Sequence, residues 1–243
     1  MELRGRVALV TGGGRRVGRA IAKGVADRGA ILAIHYNESA KGALELQNEI
    51  RSAGGTAEVF QADLSDTEAA KGLPAQVAKR LGRLDILINS AGIMKSATVE
   101  DTTAEMWDET MAVNLRSAFF TVQGALPWLK PAKGKVVNLA DVGGLEPWPR
   151  YSAHCVSKAG VVMLTKVLAR ALAPDITVNA IAPGAVLPPD DWGKEALNHL
   201  ASTTPLKKLG SPQDVVSAVL YLLEGGDYVT GQTLVVDGGR LIR

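Results

Sequence analysis

The sequence predicts a single-domain α/β fold, a doubly wound seven-stranded parallel sheet with helices on both faces. Three observations predict it. Seven short β-branched runs alternate with longer stretches of helical apolar spacing. The runs are apolar without polar alternation, as parallel strands buried on both faces require. Strand–helix repetition of this kind closes through right-handed crossovers. No linker, internal repeat or low-complexity tract divides the 243 residues, so one domain spans 1–243.

The elements follow in order. Val7–Val10 opens the sheet and feeds a glycine-rich turn; helical spacing then covers 17–28. The next strands are expected at Ala30–Tyr36, Ala57–Gln61 and Ile86–Asn89, separated by helices near 39–53 and 66–81. A long helix over 104–129 precedes Lys135–Leu139, and a helix over 152–173 precedes Thr177–Ile181. A last helix near 211–223 leads to Gln232–Val236. The only long irregular stretch runs from Ala182 to about Trp192 and carries Pro183, Pro188 and Pro189. Ligands gather at the carboxyl ends of strands in such sheets, so a substrate loop is expected at about 184–203.

Composition excludes several function classes. A net charge of +2 without long basic runs lacks the footprint of a nucleic-acid binder. One cysteine, Cys155, allows neither an intrachain disulfide nor a cysteine-based zinc cluster, and no metal site is expected. No apolar stretch approaches the ~18 residues of a membrane span. The first strand begins so close to Met1 that no secretory leader is expected, which makes a cytoplasmic setting the default.

The turn Thr11-Gly12-Gly13-Gly14-Arg15-Arg16-Val17-Gly18 joins the first strand to the first helix. Glycines there permit a tight reversal and close approach of phosphate, and the helix N-terminus presents free N–H groups. In this position the turn predicts a Rossmann-type dinucleotide site; a tight turn without ligand is the plain alternative. Arg15 and Arg16 suit a 2′-phosphate. The second strand ends in neutral Tyr36 and Asn37, where binders of the unphosphorylated dinucleotide usually carry an acid. Glu38 argues the other way, by repelling the phosphate or pairing with an arginine. NADP(H) is the expectation, with NAD(H) the alternative.

Further along stand Asp63-Leu64, Asn89-Ser90-Ala91-Gly92, Asn114, Pro183-Gly184 and Val236-Asp237-Gly238-Gly239. In that order and spacing, with the turn, they resemble the short-chain dehydrogenase/reductase family over essentially the whole chain. The resemblance implies adenine contacts at Asp63 and Leu64, cofactor contacts at Asn89, Ala91 and Gly92, a structural and catalytic Asn114, and nicotinamide flanks at Pro183 and Gly184. It also implies a homotetramer built through the helices at 104–129 and 152–173. Arg16, where the family more often has glycine, Asp141, where most members carry a serine, and the His35-Tyr36 pair with Ser39 look most like the pteridine reductases. Glu38 departs from that subgroup, where arginine is expected.

The active-site helix carries the main departure. The family places tyrosine four residues before lysine; here His154 stands at that spacing from Lys158, in His154-Cys155-Val156-Ser157-Lys158. One helical turn puts both on one face. Tyr151 lies about 10 Å along the helix from Lys158, too far to replace the phenol without rearrangement. Imidazolium is a competent general acid near neutrality, and Asp141 beside it favours the charged form while Lys158 opposes it. Asp141–His154 is thus a coherent substitute for Ser–Tyr, with Lys158 orienting the ribose and Asn114 supporting Lys158 through a water. The competing reading is that His154 only fills the space.

Three functions fit. The first is an NADP(H)-dependent reductase acting on a small planar heterocycle of pterin type or a carbonyl compound. The second is a 3-oxoacyl or other ketone reductase. The third is a cofactor-binding protein with little catalysis. Trp148 and Trp192 are placed to flank a flat substrate, with lid packing or subunit contact as the alternative. His35 and His199 read as structural or surface residues, and Asp190-Asp191 and Lys207-Lys208 as solvated charge.

Overall fold

The computed structural model describes residues 1–188 and 193–242. Trp192, Pro189 and the Asp190-Asp191 pair lie outside the described residues. Seven parallel strands form one sheet in the order β3-β2-β1-β4-β5-β6-β7. They are β1 Val7–Val10, β2 Ile31–Tyr36, β3 Ala57–Gln61, β4 Ile86–Asn89, β5 Lys135–Leu139, β6 Thr177–Pro183 and β7 Thr233–Val236. Val10 pairs with Ile34 on one side and Ile88 on the other. The chain therefore builds outward from β1 to β3, returns to β4 beside β1, and builds outward again. That reversal between β1 and β4 opens a crevice at the strands' carboxyl ends.

Alternate side chains of each strand go to opposite faces. Ala8 and Val10 of β1 join Ile21 and Val25 of α1 (Arg16–Ala26), Leu46 of α2 (Ala40–Ser52) and Val215 and Val219 of α8 (Pro212–Leu220). Val7 and Leu9 join Leu73 and Val77 of α3 (Thr67–Leu81), Val122 and Leu129 of α5 (Ser117–Ala132), and Leu168 and Leu172 of α6 (Ser152–Leu172). The doubly wound reading is thus met element by element. Helices α3 and α5 come so close that a Cβ on Gly124 would stand 2.0 Å from the Lys71 carbonyl oxygen.

Two expected elements differ. The helix expected over 104–129 is broken into α4 (Ala104–Met111), a wide π turn at Ala112–Arg116, and α5, which runs on through Pro127 and Pro131. The stretch expected to be an irregular substrate loop at 184–203 ends in a helix, α7 (Lys194–Thr203), which has no buried residue among those described. Among the described residues no helix is long and apolar enough to cross a membrane, and no group of side chains could hold a metal ion.

Candidate active site

The glycine-rich turn is fastened on both sides. Thr11 Oγ1 accepts hydrogen bonds from the N–H groups of Ser90 (2.9 Å) and Ala91 (3.0 Å), tying it to the loop after β4. On the other side Gly12 N–H donates to Nδ1 of buried His35 at 3.1 Å. Because Nδ1 accepts, the proton sits on Nε2, which donates to the Ala62 carbonyl at 3.0 Å. His35 is therefore structural, as expected, and burial pushes its imidazole below the ordinary value. Gly12 has φ +65°, and a Cβ there would meet Ala91 Cα at 2.9 Å; a Cβ on Gly18 would meet the Gly12 carbonyl oxygen at 2.3 Å. Only glycine fits both positions.

The turn and the ends of β2 and β4 enclose a cavity of about 540 Å³. Its walls include Gly12, Arg15, Arg16, Val17 and Gly18 of the turn, Tyr36, Asn37 and Ser39 after β2, Asp63 after β3, and Ala91 and Gly92 after β4. Arg15, the cap of α1, makes no side-chain capping bond, so the first-turn N–H groups remain open to a ligand. A glycine cradle, an uncapped helix start and two arginines fit a dinucleotide pyrophosphate.

Two residues expected at this cleft face elsewhere. Leu64 is buried in the second core cluster. The Asn89 side chain is also buried, its Nδ2 donating to Asn138 Oδ1 at 2.9 Å. Both lie just after or at the end of a strand, where side chains on the sheet faces enter the core. Glu38, the contrary acid, lines the cavity but makes no ion pair with Arg15 or Arg16 among the described residues.

Arg16 lies between two cavities. Its backbone has φ +49°, a left-handed conformation that glycine adopts without strain. Its guanidinium reaches across the mouth of the cleft and donates to the Leu187 carbonyl, 2.5 Å away. Beyond this bridge a second cavity of about 790 Å³ is lined by Asp141, Trp148, Tyr151, His154, Lys158, Pro183 and Gly184, with Leu200 from α7. The helix absent from the sequence reading thus contributes Leu200 to this second cavity.

β5 delivers Asp141 and α6 delivers His154 and Lys158. His154 is 5% exposed. Its Nδ1 lies 3.3 Å from the Ile93 carbonyl, so that nitrogen carries a proton, and Nε2 is the ring nitrogen left facing Asp141. Nε2 stands 3.7 Å from Asp141 Oδ1, at ion-pair distance, and among the described residues it has no hydrogen-bond partner. Asp141 Oδ1 also accepts the Gly143 N–H at 2.7 Å, which fixes the carboxylate. A neutral ring would turn a bare lone pair toward a carboxylate; a protonated ring turns an N–H toward it. Lys158 Nζ donates to the Leu139 carbonyl at 2.7 Å, and burial pulls its ammonium down to about 8 while Asp141 pulls the other way.

Asn114 sits within the π turn, which displaces it toward α6. Its Oδ1 accepts the Ile93 N–H (2.8 Å), and its Nδ2 donates to the Ile93 carbonyl (2.9 Å) and to Ser157 Oγ (3.0 Å). Asn114 therefore braces the same Ile93 carbonyl that orients His154. Tyr151 is the N-cap of α6, outside the helix, and packs edge-on against Trp148 with ring centroids 6.0 Å apart. Sequence reasoning missed Ile93 and Glu146. Ile93 acts through its main chain and has no side-chain signature; Glu146 is an isolated acid among loop residues.

A family model described as enoyl-(acyl carrier protein) reductase matches residues 13–240. The 3-oxoacyl-[acyl-carrier-protein] reductase FabG of Staphylococcus aureus is 35% identical over 237 residues, covering 96% of each chain. A dehydrogenase/reductase of Sinorhizobium meliloti 1021 superposes with a TM-score of 0.92 at 40% identity, covering 98% of this chain and 96% of its own. A blue fluorescent protein from a metagenomic library, solved in complex with NADPH, gives a TM-score of 0.92 at 31% identity, with 99% of each chain covered. With the fold, the glycine cradle and the Lys158 helix in register, the chain belongs to the short-chain dehydrogenase/reductase family of oxidoreductases.

Proposed function

We propose that this chain is an NADP(H)-dependent reductase in which the His154–Asp141 pair supplies the proton, acting on a small planar heterocycle of pterin type or on a carbonyl compound. One observation carries the reading: a buried imidazole nitrogen, without a hydrogen-bond partner, 3.7 Å from a fixed carboxylate on the wall of the second cavity. Unpaired buried polar atoms are costly, and a substrate acceptor would satisfy this one. Arg15 and Arg16 beside neutral Tyr36 and Asn37 favour the phosphorylated dinucleotide, as does the likeness to a structure holding NADPH.

The chemistry that the nicotinamide supplies is a hydride from its C4. Gly12, Gly18 and the open N-terminus of α1 would receive the pyrophosphate, and Lys158 would orient the ribose. Pro183 and Gly184 border the second cavity from the end of β6. With a substrate C=O or C=N in the second cavity, His154 Nε2 would give its proton to the oxygen or nitrogen as the carbon is reduced. Asp141 stabilises the imidazolium before transfer. Asn114 holds Ile93, and Ile93 holds the ring.

A second reading, a 3-oxoacyl or other ketone reductase, is favoured by the 35% identity to FabG. NADPH oxidation measured with a dihydropterin, with a 3-oxoacyl thioester and with no added substrate separates these readings. Turnover of the first supports the heterocycle, turnover of the second alone the ketone reading, and turnover of neither a binding protein without catalysis. The half-exposed Phe119 of α5 and Met163 and Val167 of α6 support the expected homotetramer, which light scattering checks. A lone cysteine suits the expected reducing, cytoplasmic setting.

A further inference from the structure

Trp148 is held from four sides. Its indole lies parallel to the His154 imidazole, with centroids 6.1 Å apart and planes 5° from parallel. Its Nε1–H donates to Glu146 Oε1 at 2.8 Å. The same oxygen accepts from Arg240 Nε at 2.9 Å, so the C-terminal turn closes onto the loop after β5. A Cβ on Gly143 would stand 2.9 Å from Trp148 Cε3, so the ring's far edge also rests on the backbone that fixes Asp141. Tyr151 packs edge-on against it.

Imidazole is shorter than phenol and is attached to α6 by a rotatable stem. Two polar contacts fix it: one at 3.3 Å to Ile93, the other at 3.7 Å to Asp141. Both are at the long end of their range. A ring held that loosely would lose the alignment that proton transfer needs. An offset parallel indole restricts rotation of the imidazole out of its plane.

We propose that Trp148, locked by Glu146 and Arg240, is a positioning residue for the proton donor, holding the His154 ring so that Nε2 faces Asp141. This rests on the reading of His154 as the donor. The charged groups around the ring are Asp141 from the β5 end, Lys158 from α6, Glu146 from the intervening loop and Arg240 from the C-terminal turn. Arg240 and Glu146 neutralise each other, so their role is to fix the indole rather than to set the local charge.

Indole fluorescence is quenched by a protonated imidazole in contact, which gives a readout independent of turnover. The emission of Trp148 is the difference between the NADP⁺-bound wild-type protein and Trp148→Phe. We expect it to fall on acidification in one step, and the step to vanish in His154→Asn. Glu146→Ala should weaken the step and lower kcat about tenfold or more with the KM for NADPH unchanged. Glu146→Gln should restore both, because its amide oxygen accepts the same indole N–H without the charge. An undiminished step in Glu146→Ala, or a Gln variant as impaired as the Ala variant, overturns the proposal. If Glu146→Ala does not fold, Arg240→Met removes the second anchor of the same carboxylate, and an undiminished step with unchanged kcat in that variant overturns the proposal. The readings fail separately. Undiminished turnover in His154→Phe removes the donor role while the fluorescence step stands, and a missing step removes the clamp while His154 can still be required.

Discussion

Replacing His35 by leucine removes the side chain that fastens the glycine-rich turn to the sheet. The Gly12 N–H and the Ala62 carbonyl would each lose a partner. An orphaned buried polar group costs about 1–3 kcal/mol, so the pair costs about 2–6 kcal/mol. Leucine returns about 1–2 kcal/mol through apolar burial at a site only 2% exposed. From the middle of each range the expected net loss is about 2–3 kcal/mol near pH 8. The same residue fixes a pH dependence. Burial lowers the His35 imidazole from its usual value, outweighing the Ala62 carbonyl and Asp63, which raise it. Below about pH 6.5 the unfolded chain therefore takes up a proton that the folded chain refuses. Stability present above that pH is lost as pH falls toward the folded value, by up to about 1.4 kcal/mol per unit. Urea denaturation at several pH values between about 5 and 8 reads both effects. Wild type should lose more stability on acidification than His35→Leu, by close to one proton's worth of slope. Equal stability near pH 8, or equal slopes, refutes the argument.

Gly18→Ala places a methyl 2.3 Å from the Gly12 carbonyl oxygen and should weaken NADPH binding at least about tenfold, measured by fluorescence titration. Arg16→Gly relieves a left-handed φ of +49°, about 1–2 kcal/mol, but gives up the charged bond to the Leu187 carbonyl, about as much, so stability in denaturation should change by less than about 1 kcal/mol. It should also raise the Kd for NADPH about tenfold while leaving that for NADH unchanged, since a charge-assisted phosphate contact is lost. Burial holds Lys158 at about 8 when folded, against 10.5 unfolded, so its stabilising contribution is complete above the unfolded value and lost as pH falls through 8. Lys158→Met should therefore gain stability relative to wild type near pH 7, lose that gain near pH 10.5, and lose turnover throughout, as paired denaturation and rate profiles would show.

The sheet was legible because each strand is a continuous apolar run, as at Val7-Ala8-Leu9-Val10 and Ile86-Leu87-Ile88, and burial on both faces demands such runs. The cofactor cleft was legible because Gly12 and Gly18 are required by backbone contacts only a few residues apart in sequence or across one strand pairing. The break at Asn114 was not. A π turn inserts one residue into a helix without a glycine or proline to mark it, so 104–129 reads as continuous. Helix α7 carries only a short apolar stripe, Leu197, Leu200 and Ala201, none of it fully buried, which is too brief to stand out from a loop. The Arg16–Leu187 bridge joins residues 171 apart through a carbonyl, which any residue supplies. His154 and Asp141 could be named from their spacing and position. Their separation, and the indole lying parallel beside the ring, depend on how β5 and α6 meet, which the linear pattern does not encode.

In the proposed reaction His154 delivers the proton to the substrate. The most direct test of this is single-turnover NADPH oxidation by His154→Phe, with Asp141→Asn alongside and NADPH affinity measured for each. General acid catalysis contributes about 10²–10⁴-fold, so His154→Phe should lose that much rate with its NADPH Kd unchanged, and Asp141→Asn should lose a smaller part. Undiminished turnover in His154→Phe contradicts the account.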